Sequence, residues 1–441
     1  MFASFGIETR GEPVALGGER RPALEVAARE NNEMKRAVMA VSFLVASAAF
    51  PALAQDKVFV GHLADYTGAT SFVGKYYGPG VRDAVDFINA NGGVAGTPID
   101  METVDYAYKI PDAIANYKRW KGKGMVALQG WGTGDTEALI GFVAEDKVPV
   151  WSASYSGHLT DPTGKNPDTK KPAPYNFFYG PSYTDACRAM VQWAAGDAKA
   201  KGLAKPKYVH TGDNHPYPNA PKEACSTFAR ELGFEVLTPV VIPLKPGDFK
   251  AQCLTIKDSG ANYVYIGNLG GSVVSMLKSC DTVGLNVTYL ANIWAGDEPT
   301  IAAAEAKNYI FPSATPFWDQ DAPGMKLVRQ IADKSGFTKN DTPTHHYVRG
   351  VCSVYYMKEA MEWAKANGGI TGENIRKGMY AKQDWVPKGL EGVCIPSTWT
   401  PTDHRGTMTV SINRGNFENG KVKVEKVADT VLKREDRWLG Q

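Results

Sequence analysis

The chain of 441 residues has almost no net charge, since 49 Lys and Arg stand against 47 Asp and Glu. A balance of +2 provides no electrostatic attraction for nucleic acid or for an anionic membrane, so neither is an expected partner. Apolar runs of the roughly 20 residues that a membrane helix needs are also missing. These absences argue against a nucleic-acid-binding protein and against a membrane-spanning channel.

Catalytic signatures are missing as well. Gly130 and Gly132 begin a glycine pattern, but Asp135 occupies the position where a dinucleotide-binding fingerprint needs glycine. The G-x-S-x-G turn of many hydrolases does not occur. His345 and His346 lack the His-Glu-x-x-His pattern, so we expect them to pack or face solvent rather than bind a metal. We therefore expect no enzyme, no cofactor and no metal site.

The segment 34–54 has the three parts of a secretory signal peptide. Met34–Arg36 is basic, Ala37–Phe50 is uncharged and largely apolar, and Ala52–Ala54 has the small-x-small pattern of a cleavage site. We predict cleavage after Ala54 and a periplasmic location; a buried helix or an anchor is the alternative. Residues 1–33 would then be a non-native or disordered extension, because a signal peptide has no polar preface.

Cysteine is scarce, with six residues and no pair at the two-residue gap of zinc or redox motifs. An even number in an exported chain favours disulfides, although six cysteines allow 15 pairings and free buried thiols are the alternative. The first four lie on successive predicted helices, which favours pairing between neighbours. The expected pairs are Cys187–Cys225, Cys253–Cys280 and Cys352–Cys394.

Short apolar strands and amphipathic helices alternate along most of the chain, which indicates α/β architecture with parallel, doubly wound sheets. A polar stretch at 158–174 separates two such units, and about 390 residues is too long for one core. Beyond residue 312 the pattern changes to helices within 343–365 and at 373–380. Two antiparallel strands follow, with Thr407–Ile412 as the first and 421–426 as the second. Turns are expected at 413–415 and 419–420.

Four segments occur in the order and spacing of a known family. They are Leu63–Gly68 (LADYTG), Ala84–Gly96 (AVDFINANGGVAG), Ser259–Gly267 (SGANYVYIG) and Thr282–Leu285 (TVGL). The chain resembles the type I periplasmic solute-binding proteins of ABC transporters, the leucine/isoleucine/valine-binding family. The resemblance implies two Rossmann-like lobes joined by a three-strand hinge, a small ligand between them, a membrane permease as partner and a monomer.

On this resemblance, lobe 1 comprises 55–178 plus 316–405, and lobe 2 comprises 179–315 plus 406–441. Open α/β sheets bind ligands beyond the carboxyl ends of their strands, so two facing sheets form a cleft that can close. A receptor subunit of the same fold, working with a membrane partner, is the alternative function.

The resemblance places the ligand at loops that follow strands. In lobe 1, the loop 130–136 precedes a helix whose N–H groups can converge on an anion. Thr133 is the expected hydroxyl donor there, with helix capping as its alternative role. The expected ligand contacts are Tyr66, Trp131, Thr133, Ser154, Tyr155, Tyr217, Asn268 and Trp294.

The ligand class follows from a missing charge. Amino-acid binders of the family have an acidic residue near the position of Ile293, whereas this chain has Asn292, Ile293 and Trp294, with Asp297 farther along. Burying an ammonium group without a carboxylate is costly. We therefore expect a small organic carboxylate or amide, aromatic ones included, unless Asp297 or Asp213 swings towards the ligand.

Overall fold

A computed structural model describes residues 57–441. The expected extension at 1–33 and the signal peptide at 34–54 lie outside the described residues. The segments with period-two alternation and the short apolar runs form strands, and they assemble into two separate sheets.

The first sheet is entirely parallel and is built from the first 120 or so described residues. Its strands are β1 (Val58–Ala64), β2 (Ile99–Asp105), β3 (Ala127–Gly130), β4 (Val150–Ser152) and β5 (Asn176–Phe178). The spatial order is β2-β1-β3-β4-β5. The order reverses direction at β1, and such a switch point is where open α/β sheets form ligand crevices.

The second sheet has eight strands in the order β13-β12-β11-β10-β9-β6-β7, with β8 paired to β6. These strands are β6 (Lys207–Gly212), β7 (Glu235–Val236), β8 (Val240–Val241), β9 (Tyr263–Ile266), β10 (Thr288–Ala291), β11 (Tyr309–Ser313), β12 (Thr409–Glu418) and β13 (Lys421–Val431). Pairing is parallel up to β11, and β12 and β13 then extend the sheet as an antiparallel ribbon.

Thirteen helices are present in the described part of the chain. They are α1 (Ser71–Ala90), α2 (Ile110–Gly122), α3 (Thr133–Asp146), α4 (Tyr183–Ala200), α5 (Pro216–Asn219), α6 (Lys222–Glu231), α7 (Lys250–Asp258), α8 (Gly270–Thr282), α9 (Glu298–Ala304), α10 (Met325–Ser335), α11 (Phe337–Asn340), α12 (His345–Ala366) and α13 (Gly372–Tyr380). Within residues 57–441, no helix is both long and apolar enough to cross a bilayer.

The chain passes between the two sheets three times. After β5 it enters α4, which packs on α6 and on the β12–β13 ribbon. After β11 it returns to α10 and α12, which pack on α1 beside the first sheet, and it then runs back into β12. At the crossings, the Tyr179 hydroxyl donates to the carbonyl of Ala314, and the Ile395 amide donates to the Tyr179 oxygen at 3.2 Å. The two-lobed α/β fold is thus confirmed.

All three expected disulfides are present. Cys187–Cys225 joins α4 to α6, Cys253–Cys280 joins α7 to α8, and Cys352–Cys394 joins α12 to the segment that follows α13. No free cysteine remains in the described residues. The first two pairs form because the helices that carry them pack side by side, α4 on α6 and α7 on α8.

One predicted turn is wrong. The chain does not turn at 413–415: β12 continues through Asn413 to Glu418 with a bulge after Ile412, and the hairpin turns at Asn419 and Gly420, where both φ angles are positive. Asn413, Arg414 and Gly415 stay in the strand because each pairs with a residue of β13, and Val427 of β13 is the extra residue of the bulge.

Helices α1 and α12 cross with their backbones in direct contact. A Cβ atom on Gly350 would lie 2.5 Å from the Tyr77 carbonyl oxygen, and a Cβ on Gly80 would collide with the Tyr347 carbonyl. Both glycines are buried within helices, and their lack of a side chain allows the backbones of α1 and α12 to approach each other closely. This contact fixes α12 on the first sheet's side of the cleft.

Candidate functional site

A small cavity lies between the carboxyl ends of the two sheets. Each lobe contributes loops that directly follow strands, as expected for open α/β sheets. Its walls are mostly aromatic and apolar, with a few hydroxyl groups. The lining residues are Thr70, Val73, Tyr108, Trp131, Gly132, Thr133, Ala153, Tyr183, Tyr217, Leu269 and Trp294.

The loop after β3 forms the lobe 1 wall. The Trp131 indole N–H donates to the Thr70 hydroxyl at 2.8 Å, which holds the ring against the cavity. Gly132 precedes α3 and admits no side chain, because a Cβ there would collide with the Tyr108 ring. Thr133, only 1% exposed, is the first residue of α3, and its oxygen accepts from the Ser154 hydroxyl at 3.0 Å. The helix therefore begins inside the segment 130–136 that was expected to be a loop, and its first residue brings this hydroxyl to the cavity.

The lobe 2 wall is held by Asn292. Its side-chain oxygen accepts from the Tyr217 hydroxyl at 2.7 Å and from the Trp294 backbone N–H at 2.8 Å. Its amide nitrogen donates to three carbonyls at the end of β9, the shortest contact being 2.6 Å to Asn268. The Trp294 indole N–H donates to the Tyr183 hydroxyl at 2.9 Å. Asn292 therefore positions two aromatic rings instead of offering a counter-charge.

Of the eight predicted ligand contacts, Trp131, Thr133, Tyr217 and Trp294 line the cavity together. The other four do not line it. Ser154 lies behind Thr133, Tyr155 packs on Trp294 with ring centroids 5.1 Å apart, and Asn268 donates to the carbonyls of Ile242 and Pro243. Tyr66 packs against Gly78 of α1.

Gly132 lies in the predicted loop 130–136, and sequence reasoning missed the other six lining residues, Thr70, Val73, Tyr108, Ala153, Tyr183 and Leu269. Thr70, Tyr108, Ala153 and Leu269 lie in the loops after β1, β2, β4 and β9. The alternating pattern predicts ligand contacts in such loops but does not identify the residue that makes them. Tyr183 follows β5, a strand hidden by its short length, and its hydroxyl donates to the Ala153 carbonyl at 3.2 Å.

The lobes are in contact around the cavity. The Tyr183 backbone N–H donates to the Tyr155 carbonyl at 2.7 Å, and Tyr108 packs on His215 with ring centroids 5.2 Å apart. Near the crossings, His346 Nε2 lies 3.0 Å from the Asp297 carboxylate. The structure therefore shows a closed arrangement, with the two lobes in contact around the cavity.

Among the described residues, no charged side chain lines the cavity. Asp297 and Asp213, the two carboxylates that could have paired with a ligand ammonium group, form hydrogen bonds with other parts of the protein. Asp297 accepts from the Thr300 N–H at 2.6 Å as the cap of α9 and also contacts His346, and Asp213 accepts from the Leu244 N–H at 2.8 Å. Within residues 57–441, no group of three potential metal ligands occurs.

Asp135, one turn into α3, is buried behind the loop wall. Burial raises the pKa of its carboxyl to about 7. The hydrogen bond that the carboxyl accepts from Tyr106 at 2.7 Å lowers the pKa, but the effect of burial is larger. Its second oxygen has no protein partner. This carboxyl therefore holds a proton at pH values where an exposed aspartate is ionised.

We expect Asp135→Asn to become progressively more stable than the parent protein as pH rises from about 4 to about 7. In this window the unfolded state releases the aspartate proton while the folded state retains it, so the parent loses stability with rising pH. The slope of the difference should approach about 1.4 kcal/mol per pH unit. Urea unfolding at a series of pH values measures it, and a difference that stays flat would contradict the buried, protonated carboxyl.

Comparison with known proteins identifies relatives for nearly the whole described chain. The family model described as "Periplasmic binding protein" matches residues 57–421. A Pseudomonas aeruginosa protein named "Amino acid binding protein" is 21% identical over 339 residues, which cover 75% of this chain and 87% of that protein.

Solved structures share the fold. An ABC transporter substrate-binding protein of Aeropyrum pernix has a TM-score of 0.75 at 24% identity, covering 87% of this chain and 98% of its own. A branched-chain amino acid ABC transporter protein of Thermus thermophilus with bound valine has a TM-score of 0.76 at 22% identity, with the same coverage. A fatty acid ABC transporter substrate-binding protein of Thermomonospora curvata has a TM-score of 0.74 at 19% identity, covering 86% and 93%.

Proposed function

The chain belongs to the periplasmic binding protein family, and we propose that it is the extracytoplasmic solute-binding component of an ABC transporter of the branched-chain amino acid type. It captures a small organic carboxylate or amide between its lobes and delivers it to a membrane permease. It acts as a monomer and performs no reaction on the ligand. Cleavage after Ala54 would release it into the periplasm.

The lobes of this proposal have the boundaries expected from the sequence. Lobe 1 is 55–178 plus 316–405, and lobe 2 is 179–315 plus 406–441. The three chain crossings between the sheets support this division, as does the packing of α12 on α1. Movement about the crossings would open the cavity, because none of the three disulfides joins one lobe to the other.

The observation that supports the proposal most directly is a cavity with aromatic walls between the carboxyl ends of two facing sheets. Its hydroxyl groups orient a ligand, and its rings bury apolar ligand surface. Burying about 200 Å² of that surface would contribute about 5 kcal/mol, at roughly 25 cal/mol per Å². Micromolar affinity needs about 8 kcal/mol, so polar contacts must supply the remainder.

The absence of a carboxylate from the lining supports a ligand without a free α-amino group. Two of the similar structures are named for ligands with a carboxylate, valine and fatty acid. A small carboxylate or amide with a flat apolar body fits the walls best. Tight binding of leucine would contradict this part of the proposal.

Titration calorimetry with amino acids, aromatic and aliphatic acids and their amides tests the function. We expect Thr133→Val to weaken binding of the tightest compound roughly 10- to 100-fold, because a hydrogen bond to a charged group contributes about 1.5–3 kcal/mol. Thr255→Val, on the exposed side of α7, is the matched control and should leave binding unchanged. If no compound of the panel binds, or if one is turned over, the proposed function is wrong.

A further inference from the structure

Arg349 is a fully buried cation without an anionic partner. It lies in the second turn of α12 with 0% exposure. One nitrogen, Nη1, donates to the Ile293 carbonyl at 2.6 Å, across the contact between the lobes. Nε and Nη2 have no protein acceptor, and among residues 57–441 no carboxylate lies within ion-pair distance of the guanidinium.

Two other buried arginines each have an ion-pair partner. Arg188 is paired with Asp185 at 3.1 Å, and Arg405 is paired with Asp403 at 2.7 Å. Both arginines are 1% exposed. A buried charge is costly unless it is paired and hydrogen-bonded, so the unused donors of Arg349 require an explanation that packing does not give.

Two carboxyls, Asp297 and Glu298, act on the Arg349 charge from a distance, and neither forms an ion pair with the guanidinium in the described chain. Asp297 is shared between the α9 cap and His346, at 3.0 Å from the imidazole. Burial raises the pKa of the Glu298 carboxyl to about 8, so that group retains its proton at neutral pH. The guanidinium therefore has charge to offer to an incoming anion.

Trp294 lies next to both the guanidinium and the cavity. Its ring centroid is 4.9 Å from the Arg349 guanidinium carbon, and the same indole lines the cavity. Tyr155 packs on this ring at 5.1 Å, and its hydroxyl is buried with no hydrogen-bond partner. A displacement of one side chain would thus bring unused donors of two residues to the ligand.

We propose that Arg349 and Tyr155 form the carboxylate subsite of the ligand site, and that the Trp294 indole moves aside when an anionic ligand binds. This inference rests on the proposed function and identifies the ligand as a carboxylate. Guanidinium donors suit a carboxylate because they offer paired, charge-assisted hydrogen bonds. Since Arg349 also bonds Ile293 across the lobes, the anion would stabilise the closed form.

The binding test compares carboxylates with their amides. The probes are benzoate, phenylacetate and isovalerate, with benzamide, phenylacetamide and isovaleramide as neutral counterparts, measured by titration calorimetry on the full mature chain. Arg349→Met should weaken the tightest carboxylate at least roughly 30-fold and change amide affinity little, because only the carboxylate loses a buried charge partner. Arg349→Lys should recover part of the loss.

The stability test needs no ligand and uses Arg188→Met as the matched control. Arg349→Met should leave the Tm of the ligand-free protein unchanged or raise it, since it removes an unpaired buried charge. Arg188→Met should lower the Tm, because Asp185 loses its partner, and should leave carboxylate affinity unchanged. A fall in Tm for Arg349→Met as large as that for Arg188→Met would overturn the inference.

The two proposals fail in different ways. If amides bind and carboxylates do not, or if Arg349→Met binds the carboxylate as tightly as the parent, the subsite is wrong and the transport function stands. If none of the six probes and none of the wider panel binds the parent protein, both are wrong. If Arg349→Met loses affinity for the carboxylate but not for the amide and keeps its Tm, both proposals are supported.

Discussion

Replacing Cys352 and Cys394 together by alanine should lower the free energy of unfolding by about 4 kcal/mol. The disulfide joins residues 42 positions apart, and releasing a loop of this length restores about that much chain entropy to the unfolded state. Because Cys352 is a buried residue of α12, its release also frees the segment after α13 from the helix that carries Arg349.

Urea unfolding of the oxidised parent and the double variant measures this difference. Dithiothreitol provides the internal control, since reduction should destabilise the parent by more than it destabilises the variant, which has one disulfide fewer to lose. Unfolding free energies that agree within about 1 kcal/mol would show that this bond constrains little, as happens where the unfolded state retains structure.

A single methyl group at Gly350 should cost about 3 kcal/mol, and Gly80→Ala a similar amount. At both positions the new Cβ would meet the backbone of the partner helix, 2.5 Å from the Tyr77 carbonyl oxygen in the case of Gly350. Backbone atoms cannot change rotamer to make room, so α1 and α12 must separate, and overpacking of this kind costs about 1–3 kcal/mol or more.

Gly141→Ala is the matched control, because Gly141 lies within α3 with no atom within 4 Å of its added Cβ. That substitution should stabilise the protein by roughly 0.5–1 kcal/mol, the difference in helix propensity between the two residues. Thermal and urea unfolding of the three variants give the comparison. If Gly350→Ala were as stable as Gly141→Ala, the helices would not cross in backbone contact.

The sequence was sufficient for the architecture, because the features that build it are local. Strand β9 at Tyr263–Ile266 follows from its uninterrupted run of apolar and aromatic residues, and the pairing of Cys253 with Cys280 follows from the order of the helices that carry them. The turn at Asn419 was also local. The wrong turn at 413–415 shows the limit, since pairing with β13 overrides a turn signal inside a long strand.

The sequence predicts where the site lies, but only half of the predicted ligand contacts line the cavity. Strand ends mark where a ligand binds, and they led to Trp131, Thr133, Tyr217 and Trp294. Whether a residue at such an end faces the cavity or lies behind it depends on loop conformation. Asn268, for example, turns away to satisfy carbonyl groups near β8. Arg349 gave no signal at all, because nothing in a helical sequence distinguishes a paired buried arginine from an unpaired one.

Every covalent cross-link in the described chain stays on one side of the cleft. Two tie together helices that cover the second sheet, and the third holds α12 to its own neighbourhood. Oxidation therefore stiffens each half of the molecule without tethering one half to the other. A change in the redox state of the compartment would alter how long the protein survives there, while the range of its opening and closing motion would be left to the three uncross-linked crossings.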